Sequence, residues 1–240
     1  MRKYLAEFMG TCMFVLFTSV GLVYLTAFNF SQIFDIMMVF GLALMAVMFI
    51  WGPFANGGYF NPATSLGAAI EGEITWKTFG GYLLAQIIGG IAGIGLTIIG
   101  INGVVNAQKT SGQGISTNQI LAAMQPASTS SLAPYSFGIE LVMTFFLVLV
   151  ILLVLQTKPK SSPFIAGVFL LLATFVTFPL TGGALNPVRV ISPAVFSGLS
   201  GSSHLWLYLL AQFIGGALAG VVMRYFFMSR AEEVIVEIEE

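Results

Sequence analysis

Two Asn-Pro pairs, Asn61-Pro62 and Asn186-Pro187, stand among few other polar residues. Asparagine is a favoured helix N-cap, and proline suits the first helical position because its missing N–H would be unbonded there anyway. Each pair therefore opens a helix and sets an amide, able to donate hydrogen bonds, beside a positive helix end. Glu7, Glu140 and Arg189 lie in apolar surroundings. A carboxylate so placed either relays protons or accepts bonds from irregular backbone; an arginine there is either functional or a loop residue reaching for water. Other chemistry is thin. One cysteine, Cys12, excludes a disulfide framework or Cys-based metal site, and a single histidine, His204, argues against a His-cluster metalloenzyme. No nucleophile–base pair is visible, so no enzyme is expected.

The elements that must carry these residues follow from composition. Of 240 residues, 57% are hydrophobic and 8% charged, against about 25% charged in a soluble domain. Mean hydropathy is +0.94. Nine Lys+Arg against ten Asp+Glu leave a net charge of −1 and no basic face for nucleic acid. The chain reads as an all-α integral membrane protein. Six apolar stretches are long enough to cross a bilayer, at roughly 4–28, 33–55, 79–101, 136–157, 163–181 and 205–228. They run continuously rather than alternating, so they are helices and not barrel strands. With six spans, one side collects Arg2, Lys3, Lys77, Lys158, Lys160, Arg224 and Arg230, and the other Lys109 and Arg189. That asymmetry predicts a multi-pass protein of the cell membrane with both termini cytoplasmic. The polar connection 102–135 faces outward, as a flexible loop or with a short helix, and 229–240 forms an acidic cytoplasmic tail.

The chain repeats itself. Tyr82-Leu-Leu-Ala-Gln-Ile-Ile-Gly-Gly recurs from Tyr208, and Asn61-Pro62-Ala63 recurs as Asn186-Pro187-Val188, at offsets of 126 and 125 residues. Ala6-Glu7-Phe8-Met9-Gly10-Thr11 has a weaker counterpart around Glu140. One membrane domain, 1–240, thus holds repeat one (about 1–101) and repeat two (about 134–228). Three spans per repeat is an odd number, so the second copy enters from the opposite side: an inverted two-fold repeat whose special segments meet near the midplane.

About ten residues separate Asn61 from the charges at Glu71 and Glu73. Ten helical residues rise about 15 Å, half the hydrocarbon thickness. The segment after Asn186, reaching Phe196 or Ser197, is similar. The expectation is two re-entrant half-helices entering from opposite sides; two Asn-capped surface helices are the alternative. Half-helices would bring both positive ends and both asparagines to the centre. Such a site favours a neutral, hydrogen-bonding permeant over hydronium or a metal cation.

Glu7 in its Ala-Glu-Phe-Met-Gly-Thr setting, the two Asn-Pro boxes and Arg189 resemble the aquaporin (major intrinsic protein) family over essentially the whole chain. The resemblance implies a six-span channel with two half-helices, homotetramers with one pore per subunit, and no cofactor. It implies that Arg189 is the arginine of the outer constriction, with Phe40, Thr174 and Gly183 as its other members. Phe40 lies 21 positions before Asn61, one more than the usual spacing, which leaves Gly41 as the alternative. Glu7 and Glu140, equivalently placed, are expected to support the two returning loops.

Some positions depart from the pattern. Thr174 stands where strict water channels commonly carry histidine, and Thr174 and Gly183 are both small, which predicts a wider constriction. Val190 and Ala194 stand where glycerol facilitators typically have Asp and a basic residue, which fits water-type members. Tyr208 and Leu209 are mixed. Tyr59 replaces the histidine many members have before the first box, and Val188 replaces the usual alanine. Gly183 occupies the place of the loop cysteine that confers mercury block, so weak mercury sensitivity is expected. The expected activity is passive conduction of water across the bilayer. A pore for glycerol, ammonia, urea or peroxide is the alternative, and an ion-coupled carrier a more distant one.

Overall fold

The computed structural model describes residues 1–28, 33–110, 116–126, 133–157, 160–197 and 204–228, with backbone only at 25–28, 104–110, 117 and 120. The acidic tail at 229–240, Lys158, Pro159 and Arg230 lie outside the described residues.

Six helices are long and apolar enough to cross a membrane. They are α1 (Arg2–Phe28), α2 (Ile33–Trp51), α4 (Trp76–Thr110), α6 (Ala133–Thr157), α7 (Ser162–Thr181) and α9 (Leu205–Val222), with a single π-type turn at Met223–Met228 extending the last. Two short helices start at the Asn-Pro pairs: α3 (Pro62–Glu71) and α8 (Pro187–Ser197). At 1.5 Å per residue each rises about 15 Å. The chain belongs to a multi-pass membrane fold, all-helical among the described residues.

One boundary differs from expectation. Residues 102–110, assigned above to the polar connection, continue α4 to 35 residues, about 50 Å and well beyond the hydrocarbon. The Asn102-Gly103 pair, a turn signal on its own, does not end the helix, which runs on to Thr110, just before Ser111-Gly112. The connection also holds α5 (Thr117–Ala123), closed at its start by a Ser116–Gln119 capping box.

Packing follows the repeat pairwise. α1 lies on α4, α6 on α9, and α2 pairs with α7. Each half-helix docks chiefly on a span of the other half, α3 on α9 and α8 on α4. Small residues let backbones meet, as expected where packing rather than water drives association. A Cβ on Gly41 would fall 2.6 Å from the Gly167 carbonyl oxygen, and one on Gly167 equally close to that of Gly41. Gly216 and Gly220 of α9 face the carbonyls of Ala63 and Gly67 on α3 in the same way. The outer faces carry exposed Leu, Ile, Val and Phe, such as Leu84, Ile99, Phe175 and Leu218, the solvent a bilayer supplies.

Candidate functional site

The site is built from two loops that return to the middle of the bundle. The turn before α3 hangs from Glu7 of α1. Glu7 Oε1 accepts the Tyr59 N–H at 2.8 Å and Oε2 the Phe60 N–H at 2.8 Å. Gln86 of α4 donates to Glu7 Oε2 at 2.7 Å and to Ser65 Oγ at 2.8 Å. The turn before α8 hangs from Glu140 of α6 in the same manner. Glu140 Oε1 accepts from Ala184 N–H at 3.1 Å, and Oε2 from Leu185 N–H at 2.9 Å and Gln212 Nε2 at 2.8 Å. Both glutamates are fully buried. Each of these contacts brings a donor to a carboxylate oxygen, which accepts it.

These anchors hold Phe60 and Leu185 in left-handed backbone, at φ 49° and 50°. That region costs a bulky residue about 1–2 kcal/mol. What the strain achieves is direction: it turns each carbonyl toward the opposite loop. Asn186 Nδ2 donates to the Phe60 carbonyl at 2.9 Å, and Asn61 Nδ2 to the Leu185 carbonyl at 2.9 Å. Meanwhile Asn61 Oδ1 accepts from Ala63 N–H at 2.9 Å, and Asn186 Oδ1 from Val188 N–H at 3.0 Å. Pro62 and Pro187 follow as the first helical residues. Each amide oxygen caps its own half-helix and one amide hydrogen crosses to the other loop. One N–H per asparagine remains.

Both asparagines line a narrow cavity together with Arg189, the backbone-bearing residues Phe60 and Leu185, and an apolar wall that includes Phe14 and Leu147. Its volume is about 10 Å³, close to what a single water needs.

Arg189, from the first turn of α8, is buried. Its Nη1 donates to the Gly183 carbonyl and to that of Ala184, the latter at 3.1 Å. Its Cζ lies 4.0 Å from the centre of the Phe40 ring, within cation–π range. Thr174 Cγ2 would be 3.1 Å from a Cβ on Gly183, whose φ is +62°. Phe40, Thr174, Gly183 and Arg189 are therefore brought together. Gly41 instead faces the α7 backbone.

Tyr59 lines both the narrow cavity and a larger one of about 630 Å³ at the other end of α3. Val188 is accommodated by a glycine opposite: a Cβ on Gly90 of α4 would fall 2.0 Å from Val188 Cγ1. Four contributors escaped the sequence analysis. Gln86 and Gln212 sit inside the repeated Tyr-Leu-Leu-Ala-Gln motif, and that repetition was a usable signal. The Phe60 and Leu185 carbonyls act through the main chain, which residue type does not announce.

The model of the major intrinsic protein family matches residues 1–223. A glycerol uptake facilitator protein-like 6 of Lactiplantibacillus plantarum is 35% identical over 227 residues, covering 93% of this chain and 97% of that protein. An aquaporin Z of Rhodopseudomonas palustris is 30% identical over 229 residues, covering 93% and 92%. Among solved structures, the aquaglyceroporin of Plasmodium falciparum superposes with a TM-score of 0.79 at 18% identity, over 96% of this chain and 98% of that one, which speaks to the fold.

Proposed function

Because the chain belongs to the major intrinsic protein family, a family of passive channels, and is not an enzyme, we propose that its main permeant is water. Conduction of small neutral solutes accompanies it to the extent the outer constriction allows. The observation that carries this reading is the single N–H left on each of Asn61 and Asn186. With both Oδ1 atoms committed to capping, the midplane offers donors and no side-chain amide acceptor. A water arriving there accepts two hydrogen bonds, so its own hydrogens point away along the file in both directions. A proton cannot be handed across a water held that way. The positive ends of α3 and α8 oppose cations at the same point.

In this reading Phe40, Thr174, Gly183 and Arg189 form the outer constriction. The Arg189 charge repels cations, and its remaining N–H groups receive the permeant from the entrance. Pro62, Ala63, Pro187 and Val188 open the half-helices, Glu7 and Glu140 hold the loops in place, and Tyr59 borders the inner side. The assembly is a homotetramer in the cell membrane with cytoplasmic termini, and no cofactor takes part. A glycerol-conducting pore is the second reading, favoured by the small Thr174 and Gly183 and by the likeness to a glycerol facilitator-like protein. Stopped-flow light scattering on proteoliposomes separates the two. Fast shrinkage in sucrose without re-swelling in glycerol is expected, and Arg189→Ala should admit glycerol. Fast re-swelling of the wild type would select the second reading.

A further inference from the structure

Four apolar side chains of the narrow cavity form two pairs related by the internal repeat. Glu7 and Glu140, equivalent in α1 and α6, are 133 residues apart, and the same step takes Phe14 to Leu147. Gly41 and Gly167, which abut each other's carbonyls in α2 and α7, are 126 apart, and that step takes Leu44 to Leu170. All four line the cavity that holds Asn61, Asn186 and Arg189. Leu44 is thus answered by another leucine, whereas Phe14 puts a benzene ring where the second repeat has Leu147. The ring belongs to one apolar cluster with Phe60 and Leu185. Gly10, one turn earlier on α1, lies against the Phe60 side chain: a Cβ there would fall 2.1 Å from Phe60 Cε1. Phe14 therefore follows about 6 Å along α1 from the loop that bears the crossed Asn186 bond.

We propose that Phe14 is a specificity-determining residue: it forms a second size barrier, in series with the outer constriction, that holds back solutes with a carbon backbone. The inference rests on the water-channel reading above and adds to it a point of selection on α1. The cavity, at about 10 Å³, has room close to that of a single water. Water finds its hydrogen bonds there on the free N–H groups of Asn61 and Asn186. A polyol brings several carbons and further hydroxyls, and these meet Phe14, Leu44, Leu147 and Leu170, none of which can hydrogen-bond. Each hydroxyl left without a partner costs about 1–3 kcal/mol. The ring, rigid and packed into its cluster, yields to a solute less readily than a leucine does. Thr174 and Gly183 are small, so the outer constriction depends on Arg189 and Phe40, and Phe14 backs it. Barriers in series add as resistances, so lowering one exposes the other.

Glycerol and water permeabilities are measured by stopped flow on the same proteoliposomes, and their ratio cancels differences in the amount of folded protein. Arg189→Ala lowers the outer barrier and lets glycerol in. Adding Phe14→Leu, which makes the two repeats alike, should raise the glycerol-to-water ratio by about tenfold, the low end of what a methylene-sized difference is worth in a selective site. Adding Leu147→Phe instead, which narrows the same wall from α6, should lower the ratio below that of Arg189→Ala. This second variant keeps the test decisive if the first loses its water flux through misfolding. Phe14→Leu with Arg189 intact should change the ratio far less, because the outer barrier still stands. A water-selective wild type whose Arg189→Ala ratio neither substitution moves overturns the proposal. Equal increases from Phe14→Leu in both backgrounds overturn the series arrangement. Rapid glycerol entry in the wild type fails the water reading and this barrier with it, and a wild type without protein-dependent water flux fails the channel reading itself.

Discussion

Glu7→Gln tests whether the loop anchor sets the pore. Glutamine keeps one oxygen and places an N–H₂ where Glu7 now takes a second backbone donor. If the oxygen serves Tyr59 N–H, the new amide meets the Phe60 N–H and Gln86 Nε2, each now bonded to Glu7 Oε2. Gln86 can turn over, because its own Oε1 has no partner. The Phe60 N–H cannot. One buried backbone donor is left unbonded, at about 1–3 kcal/mol, and the charge assistance lost at the surviving bonds adds about 1–2 kcal/mol. Phe60 then has reason to leave φ 49°, a move that recovers part of its strain but turns its carbonyl away from Asn186. The midplane loses its crossed bond on one side.

The expected outcome is a net loss of about 2–4 kcal/mol, seen as an unfolding temperature lower by on the order of 10 °C, together with a several-fold drop in water permeability per folded protein. Glu140→Gln should behave alike, since Gln212 Oε1 is also unpartnered and the contacts match in kind. Thermal unfolding in detergent and stopped-flow shrinkage of proteoliposomes measure the two effects. Unchanged unfolding temperature with intact water flux would refute the anchoring argument. An unchanged unfolding temperature with loss of a flux driven by a pH gradient would mean that the carboxylate relays protons.

Three further outcomes follow from single contacts. Gly90→Ala sets a methyl 2.0 Å from Val188 Cγ1 and 2.4 Å from Ser192 Oγ, so it should destabilise α8 by about 1–3 kcal/mol; Val188→Ala should rescue it in part, and a double-mutant cycle showing no coupling would contradict the packing. Mercury should inhibit weakly, because the single cysteine, Cys12, is buried in α1; strong inhibition abolished by Cys12→Ser would count against this. Burial raises the Glu71 carboxyl to about 7, opposed by the hydrogen bond from Gln156 and assisted by Glu73, with Lys160 across the cavity. The folded state then binds the proton more tightly than the unfolded one, so stability falls as pH rises from about 4.5 to 7. Glu71→Gln should accordingly gain on the wild type between pH 5 and pH 8 by at most about 3 kcal/mol, read from unfolding temperatures at both pH values; a difference that does not change with pH would refute it.

What could be read from residues alone divides along the range of the interactions involved. The starts of α3 and α8 are legible because Asn followed by Pro acts locally: the cap bond runs only from Asn61 to Ala63 and from Asn186 to Val188. The crossed amide bonds are not legible, because they join residues 124 and 126 positions apart through carbonyls that any residue type carries. The repeat offset foretells that the loops are alike, but not that each borrows the other's carbonyl. The same limit explains α4. Hydropathy marks where a helix enters lipid, not where its hydrogen-bond ladder ends, so a polar but unbroken stretch to Thr110 passes for a loop. The spacing ambiguity between Phe40 and Gly41 is also a matter of range. Adjacent residues on a helix point about 100° apart, so only the partners decide: the Arg189 guanidinium receives one, and the α7 backbone leaves room for nothing larger than the other.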